Sequence, residues 1–303
     1  MQTARRIAAA VGVLLVAGCA SAPTQSGPSV SGTCPVTPVR VVVSVNQWGD
    51  ITSALGAACA QVDTIIADSK IDPHDYEPTP GDISAFGSAS VVVLNGVGYD
   101  AWAQKAVAAL STAPAVVDAG VVNSVALGSN PHLWYRPDAV TATADAITAA
   151  LARAAPGAAS FFQQQHASWL VAMKPYFDEV ARVKAGVHAQ SYGATESVFD
   201  YMAGAVGLVD KTPPGYRQAI ANGSDPAPGD LNAFQTALTG KQMTVLIVNT
   251  QTAAAVTDQL RAAATGAGVP IVEVTETVPA GAVSFQDWQI HQLTALATAL
   301  GIS

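Results

Sequence analysis

A chain of 303 residues, half of them apolar and only 12% charged, has material for two ordinary domains and is too apolar to remain disordered. Its formal charge of −8 excludes nucleic acid as a partner, because phosphate backbones are held by surplus lysine and arginine, and is compatible with cations. Cysteines are few, at three.

The elements follow in chain order. Arg5 and Arg6 precede an apolar run over residues 7–17, too short to span a bilayer and suited to the core of a signal peptide. It ends Val16-Ala17-Gly18-Cys19, which looks like a bacterial lipobox. Residues 1–18 are therefore expected to be a lipoprotein signal peptide. Cys19 is expected to be the lipidated first residue of a chain anchored at the extracytoplasmic face of the cell membrane. Loss of the two arginines takes the formal charge from −8 to −10. Residues 19–35, small, polar and rich in Pro and Gly, read as a flexible tether. No later stretch reaches the roughly 18 uninterrupted apolar residues of a membrane helix, so the remainder is expected to be soluble.

Residues 39–45 (VRVVVSV) form a strand, 50–58 a helix, 62–66 and 91–94 strands, and 115–117 a fourth. Runs that are apolar on both faces and separated by helices predict a parallel sheet covered on both sides. Cys34 precedes the first strand and Cys59 follows the first helix. The ends of a strand–helix unit lie close together, and export would place both cysteines where disulfides persist, so a Cys34–Cys59 bridge is expected. Neither has the CxxC-type spacing of a metal pair.

Pro137 opens a helical stretch, and a second, longer one runs from about 158 to 184 with Pro175 inside it. A second α/β unit follows: a strand over 187–195, a helix over 198–206, loop over 212–228, a strand over 243–248, a helix over 252–264, a strand over 270–274 and a helix over 285–300. The fold class is α/β, two Rossmann-like lobes with parallel sheets joined by a long rigid helix. The lobes take residues 36–157 and 187–303, and the joining helix takes 158–186.

Two of the five histidines sit in Pro-His turns, Asp72-Pro73-His74-Asp75-Tyr76-Glu77-Pro78 and Asn130-Pro131-His132-Leu133-Trp134. Proline stiffens the loop ahead of an imidazole that must be pre-positioned. Both turns follow strands, at the carboxyl edge where open α/β sheets bind ligands. The stretch IDPHDYEPTPGDISAFGSASVVVLNGVGYDAW (71–102) resembles the cluster A-I (ZnuA/TroA-like) metal-binding proteins of ABC importers. The resemblance places His74 on the first metal ligand and His132, in the Asn-Pro-His-Leu-Trp motif, on the second. Asn130 and Arg136 replace acids common there. Glu196, ahead of the helix that leads to Val206-Gly207-Leu208, falls on the third ligand. Glu276, after the last strand, falls on the fourth, where an aspartate is usual. Glu273 is the rival acid, expected to face away from the site or toward the sheet. His188 is too far along its strand to join, and His166 and His291 read as surface residues.

Two imidazoles and two carboxylates suit Zn2+ or Mn2+. Successive candidates lie 58, 64 and 80 residues apart, so only the fold can assemble them in the interlobe cleft. The resemblance implies a monomeric solute-binding protein, not an enzyme, whose transported ligand passes to an ABC permease and its ATPase. No Walker A motif is present in the chain itself. The alternatives are a metal-dependent hydrolase, which would lack an HExxH motif, and a surface adhesin.

Overall fold

Valine-rich runs make the strands, because a β-branched side chain packs well on a pleated surface buried on both faces. The structure, a computed structural model, describes residues 33–69, 71, 73, 76–251 and 255–303. The signal segment, Cys19 and His74 lie outside the described residues.

The first half contains β1 (Val39–Val45), α1 (Asn46–Gly56), β2 (Ala60–Ile66), α2 (Pro80–Ser88), β3 (Val91–Leu94), α3 (Ala101–Ala108), β4 (Ala115–Asp118), α4 (Ala119–Val122) and α5 (Pro137–Ala154). After α6 (Ala159–Gly186), the second half contains β5 (Ser191–Ala194), α7 (Asp200–Val206), β6 (Val209–Asp210), α8 (Pro214–Ala221), α9 (Pro228–Thr239), β7 (Val245–Asn249), α10 (Ala255–Ala267), β8 (Ile271–Val274) and α11 (Phe285–Leu300). The two sheets are wholly parallel and share one plan, β2-β1-β3-β4 and β6-β5-β7-β8. These are the two α/β lobes expected from the strand pattern. Among the described residues no helix is long and apolar enough to cross a membrane.

β7 shows why its run is apolar over residues 245–248. Val245 and Ile247 join the large core that also holds the first sheet, while Leu246 and Val248 face a second core with Tyr216, Phe234 and Leu260. The long helix α6 touches α1 and α5 from the first half and α7 and α11 from the second. Its 28 residues run unbroken through Pro175. That proline deprives the Val171 carbonyl of its helical partner, and Val171 lies on the solvent side, 60% exposed, where the lost bond costs least. Cys34 and Cys59 are disulfide-bonded, as expected, with Cα atoms 5.0 Å apart.

Four expectations need correction. Helix α1 starts at Asn46, directly after β1, rather than at residue 50. Strand β5 is only Ser191–Ala194, because α6 continues through Gly186. The expected loop over 212–228 contains α8: Pro213-Pro214 starts a helix, since proline's missing N–H costs nothing in the first turn. Tyr216 anchors it, with its ring 4.9 Å from Phe234. His166 is not a plain surface residue either. Its imidazole lies 2.8 Å from Asp145 of α5 and stacks on Trp169.

Candidate metal centre

The carboxyl edges of both sheets converge, and the turns that leave them carry the candidate residues. The turn after β3 is the scaffold. Asp100, fully buried, accepts from Ser44 Oγ (2.5 Å) and from the backbone N–H groups of Asn95 (2.7 Å) and Gly96 (2.9 Å). Burial outweighs these bonds and raises the Asp100 pKa. The turn needs left-handed backbone at Gly96 (φ 75°), Val97 (φ 58°) and Gly98 (φ 90°). A Cβ at Gly96 would also lie 2.0 Å from Asp118 Oδ1. For β-branched Val97 that conformation is strained, and the surrounding bonds hold it in place. Asn95 accepts from Trp48 Nε1 (2.9 Å) and donates to the Pro131 carbonyl (2.9 Å), which fixes the Pro131-His132 turn.

His132 is 6% exposed. Asn130 Oδ1 receives both the His132 backbone N–H (3.0 Å) and Nδ1 (2.6 Å). With Nδ1–H engaged in this way, Nε2 carries the free lone pair, the arrangement of a metal-ligating imidazole. Nε2 faces Glu276 Oε1 at 3.6 Å. That distance is too long for a hydrogen bond. Two donors on one tetrahedral zinc, each about 2.0–2.2 Å from the metal, stand roughly 3.4 Å apart. The pair therefore has the spacing of two ligands to one small ion, and its members come from opposite halves of the chain.

Glu276 sits in the segment after β8, which residues of the first half hold in place. Gln47 Nε2 donates to the Glu276 carbonyl (3.0 Å), and Asn46 exchanges bonds with both the N–H and the C=O of Val278. The Tyr135 hydroxyl lies 2.6 Å from the Thr275 carbonyl and 2.8 Å from Gln292 Oε1. Tyr99, also fully buried, brings its hydroxyl to the Glu276 carboxylate, and burial with that negative charge drives its pKa well above the ordinary value. The phenol therefore stays protonated and donates.

Glu196 follows β5 and is held by Asn249 Nδ2 (2.8 Å), a buried amide at the end of β7. Asn130 ties this side to the first half, since its Nδ2 donates to the Ser197 carbonyl (2.8 Å) and its own carbonyl accepts from Tyr201 (2.9 Å). Glu273 turns outward to Arg261, as expected. His188 and His291 are exposed. Arg136 pairs with Asp138. Among the described residues no three His, Cys, Asp or Glu side chains form one cluster, and His74 is not among them. The sequence reading missed Gln47, Tyr99 and Asn249. Only Asn249 carried a local signal, as the lone polar residue closing an apolar strand.

Residues 41–299 match the family model described as ZnuA, zinc-uptake complex component A, periplasmic. The chain is 28% identical over 125 residues to the manganese-binding lipoprotein MntA of Halalkalibacterium halodurans, covering 40% of this chain and 39% of that protein. It is 23% identical over 215 residues to the high-affinity zinc uptake system protein ZnuA of Bacillus subtilis, covering 64% of this chain and 66% of that one. The chain thus spans between about two fifths and two thirds of these curated relatives' lengths. The fold matches the periplasmic zinc-binding protein TroA of Treponema pallidum with a TM-score of 0.73 and 17% identity, over 87% of this chain and 99% of that one. It also matches FpvC of Pseudomonas aeruginosa in complex with Mn2+, with a TM-score of 0.72 and 20% identity, over 88% and 99%.

Proposed function

This chain belongs to the periplasmic zinc-uptake complex component A family, and from that premise we propose that it captures one zinc or manganese ion outside the cytoplasm and delivers it to an ABC permease with its separate ATPase. The family is one of metal-binding transport components and not of enzymes. His74, His132, Glu196 and Glu276 are the proposed ligands, and the metal is cargo.

The observation that carries this reading is the 3.6 Å approach of His132 Nε2 to Glu276 Oε1 across the two halves. Asn46 and Gln47 of the first half, bonded to Val278 and to the Glu276 carbonyl, help to set it. Asn130 orients the imidazole, and Asn249 holds the Glu196 carboxylate. Capture requires nothing more than displacing water from the ion and neutralising its charge with two carboxylates.

The test is metal-induced stabilisation of the purified chain. A ligand bound only by the folded state, at a thousandfold excess over its Kd, adds about 4 kcal/mol. His132→Ala and Glu276→Gln are each expected to abolish most of that rise with zinc and with manganese. Full stabilisation of either variant refutes the interlobe site. The proposed lipid anchor rests on Cys19 and its lipobox. Cys19→Ala is expected to abolish lipid labelling, and labelling that persists refutes the anchor.

A further inference from the structure

Tyr99 is the buried residue whose placement at the centre asks for an explanation. It is 1% exposed and wedged between Trp134 (ring centroids 4.9 Å apart) and the edge of His132 (6.2 Å). Its backbone position is set by the Asp100-anchored turn, so the ring has nowhere else to go. Gln47 Nε2 donates to the Tyr99 oxygen (3.3 Å) and to the Glu276 carbonyl (3.0 Å), linking the phenol and the glutamate to one amide. A phenol has a single proton. With Gln47 donating to its oxygen, that proton goes to the Glu276 carboxylate.

We propose that Tyr99 is a positioning residue that occupies one oxygen of Glu276, limits this ligand to a single oxygen toward the metal, and so favours four-coordinate zinc over manganese. The inference rests on the function proposed above. A carboxylate can grip a cation through one oxygen or both. The Tyr99 bond withdraws charge from one oxygen and stops the group from turning both onto an ion. Zinc is satisfied by four donors, whereas manganese prefers six, mostly oxygens, and loses more when one is withheld. The other oxygen contact of Glu276, Oε1 toward His132 Nε2 at 3.6 Å, is close to the donor spacing of a tetrahedral ion.

The variant is Tyr99→Phe in the full mature chain, which keeps the ring and its packing and removes only the hydroxyl. Competition titrations with zinc and manganese are expected to show the zinc-to-manganese affinity ratio falling at least about tenfold, roughly 1.4 kcal/mol. Cobalt(II) serves as a spectroscopic probe. The wild type is expected to give the intense visible bands of four-coordinate cobalt, and Tyr99→Phe the weaker bands of higher coordination. An unchanged ratio and spectrum in the folded variant overturns the proposal. If Tyr99→Phe does not fold, the wild-type cobalt spectrum decides: weak, six-coordinate bands overturn the proposal, and intense four-coordinate bands support it. Glu276→Gln, measured alongside, separates the two claims. Its loss of zinc binding with an unchanged Tyr99→Phe ratio defeats only the role of Tyr99, while full zinc binding by Glu276→Gln defeats the metal site itself.

Discussion

Asn130 joins two tasks that a single isosteric change separates. In Asn130→Asp the oxygen that receives His132 Nδ1–H becomes part of a carboxylate, and the amide that donates to the Ser197 carbonyl at 2.8 Å becomes a second acceptor. The second effect acts on the empty protein. Loss of a partly buried hydrogen bond, with a carboxylate oxygen then facing a carbonyl, costs about 1–3 kcal/mol. For a chain of this size that lowers Tm by roughly 2–6 °C. The first effect acts on the loaded protein. A metal on Nε2 makes Nδ1–H more acidic, and a charge-assisted bond is about twice as strong as a neutral one, so about 1 kcal/mol accrues only when metal is bound. That is close to a fivefold gain in affinity. Scanning calorimetry of the metal-free variant and competition titration with zinc read the two effects separately. A lower Tm with tighter zinc binding is expected. An unchanged Tm refutes the Ser197 contact as a stabilising one, and weaker zinc binding refutes the view that Asn130 acts by orienting His132.

Glu196→His trades a hard carboxylate for an imidazole and is expected to raise zinc affinity relative to manganese at least about tenfold; an unchanged ratio in competition titrations rejects Glu196 as a selectivity element. Replacing Cys34 and Cys59 by serine opens a 25-residue loop and is expected to lower the free energy of unfolding by about 3 kcal/mol in urea titrations, with no loss expected if the bridge is absent from the exported protein. Burial raises the Asp50 pKa, partly offset by the Phe285 N–H it accepts at 2.7 Å. A carboxyl raised in the folded state contributes stability that is fully present below its unfolded pKa and is lost as pH rises through the folded one. Asp50→Asn, which can still accept from Phe285, is therefore expected to gain stability over the wild type at neutral pH and to match it near pH 3; an equal difference at both pH values in unfolding titrations contradicts this.

The sheets were legible because a strand buried on both faces must be largely apolar: residues 245–248 are apolar at every position, and 39–45 break the run only at Arg40, which is exposed, and Ser44, which is bonded to Asp100. His132 and Glu276 could be put forward as ligands from the sequence because each follows a strand, His132 in its Asn-Pro-His-Leu-Trp turn and Glu276 where the family resemblance has an aspartate. Helix α8 was hidden by Pro213-Pro214, which signals a break and a helix start with the same residues. Tyr99 and Gln47 were hidden for another reason. Gln47 acts through a carbonyl 229 positions away. No periodicity or local spacing records such a partner, and only the folded chain brings the two groups together.

The long helix α6 has a mechanical consequence. The chain passes between its halves once, through 28 helical residues that both halves grip along their length. A hinge needs a few residues whose dihedrals swing freely, and a helix locked by packing on both sides offers none. Loading and unloading must then leave the outline of the molecule nearly fixed, and solution scattering is expected to give one radius of gyration for both forms. A receptor that distinguishes a full carrier from an empty one has little difference in shape to detect. If His132 and Glu276 are the ligands proposed above, the expected difference is how firmly their turns are held, a contrast in local stiffness that hydrogen exchange of the two forms would read.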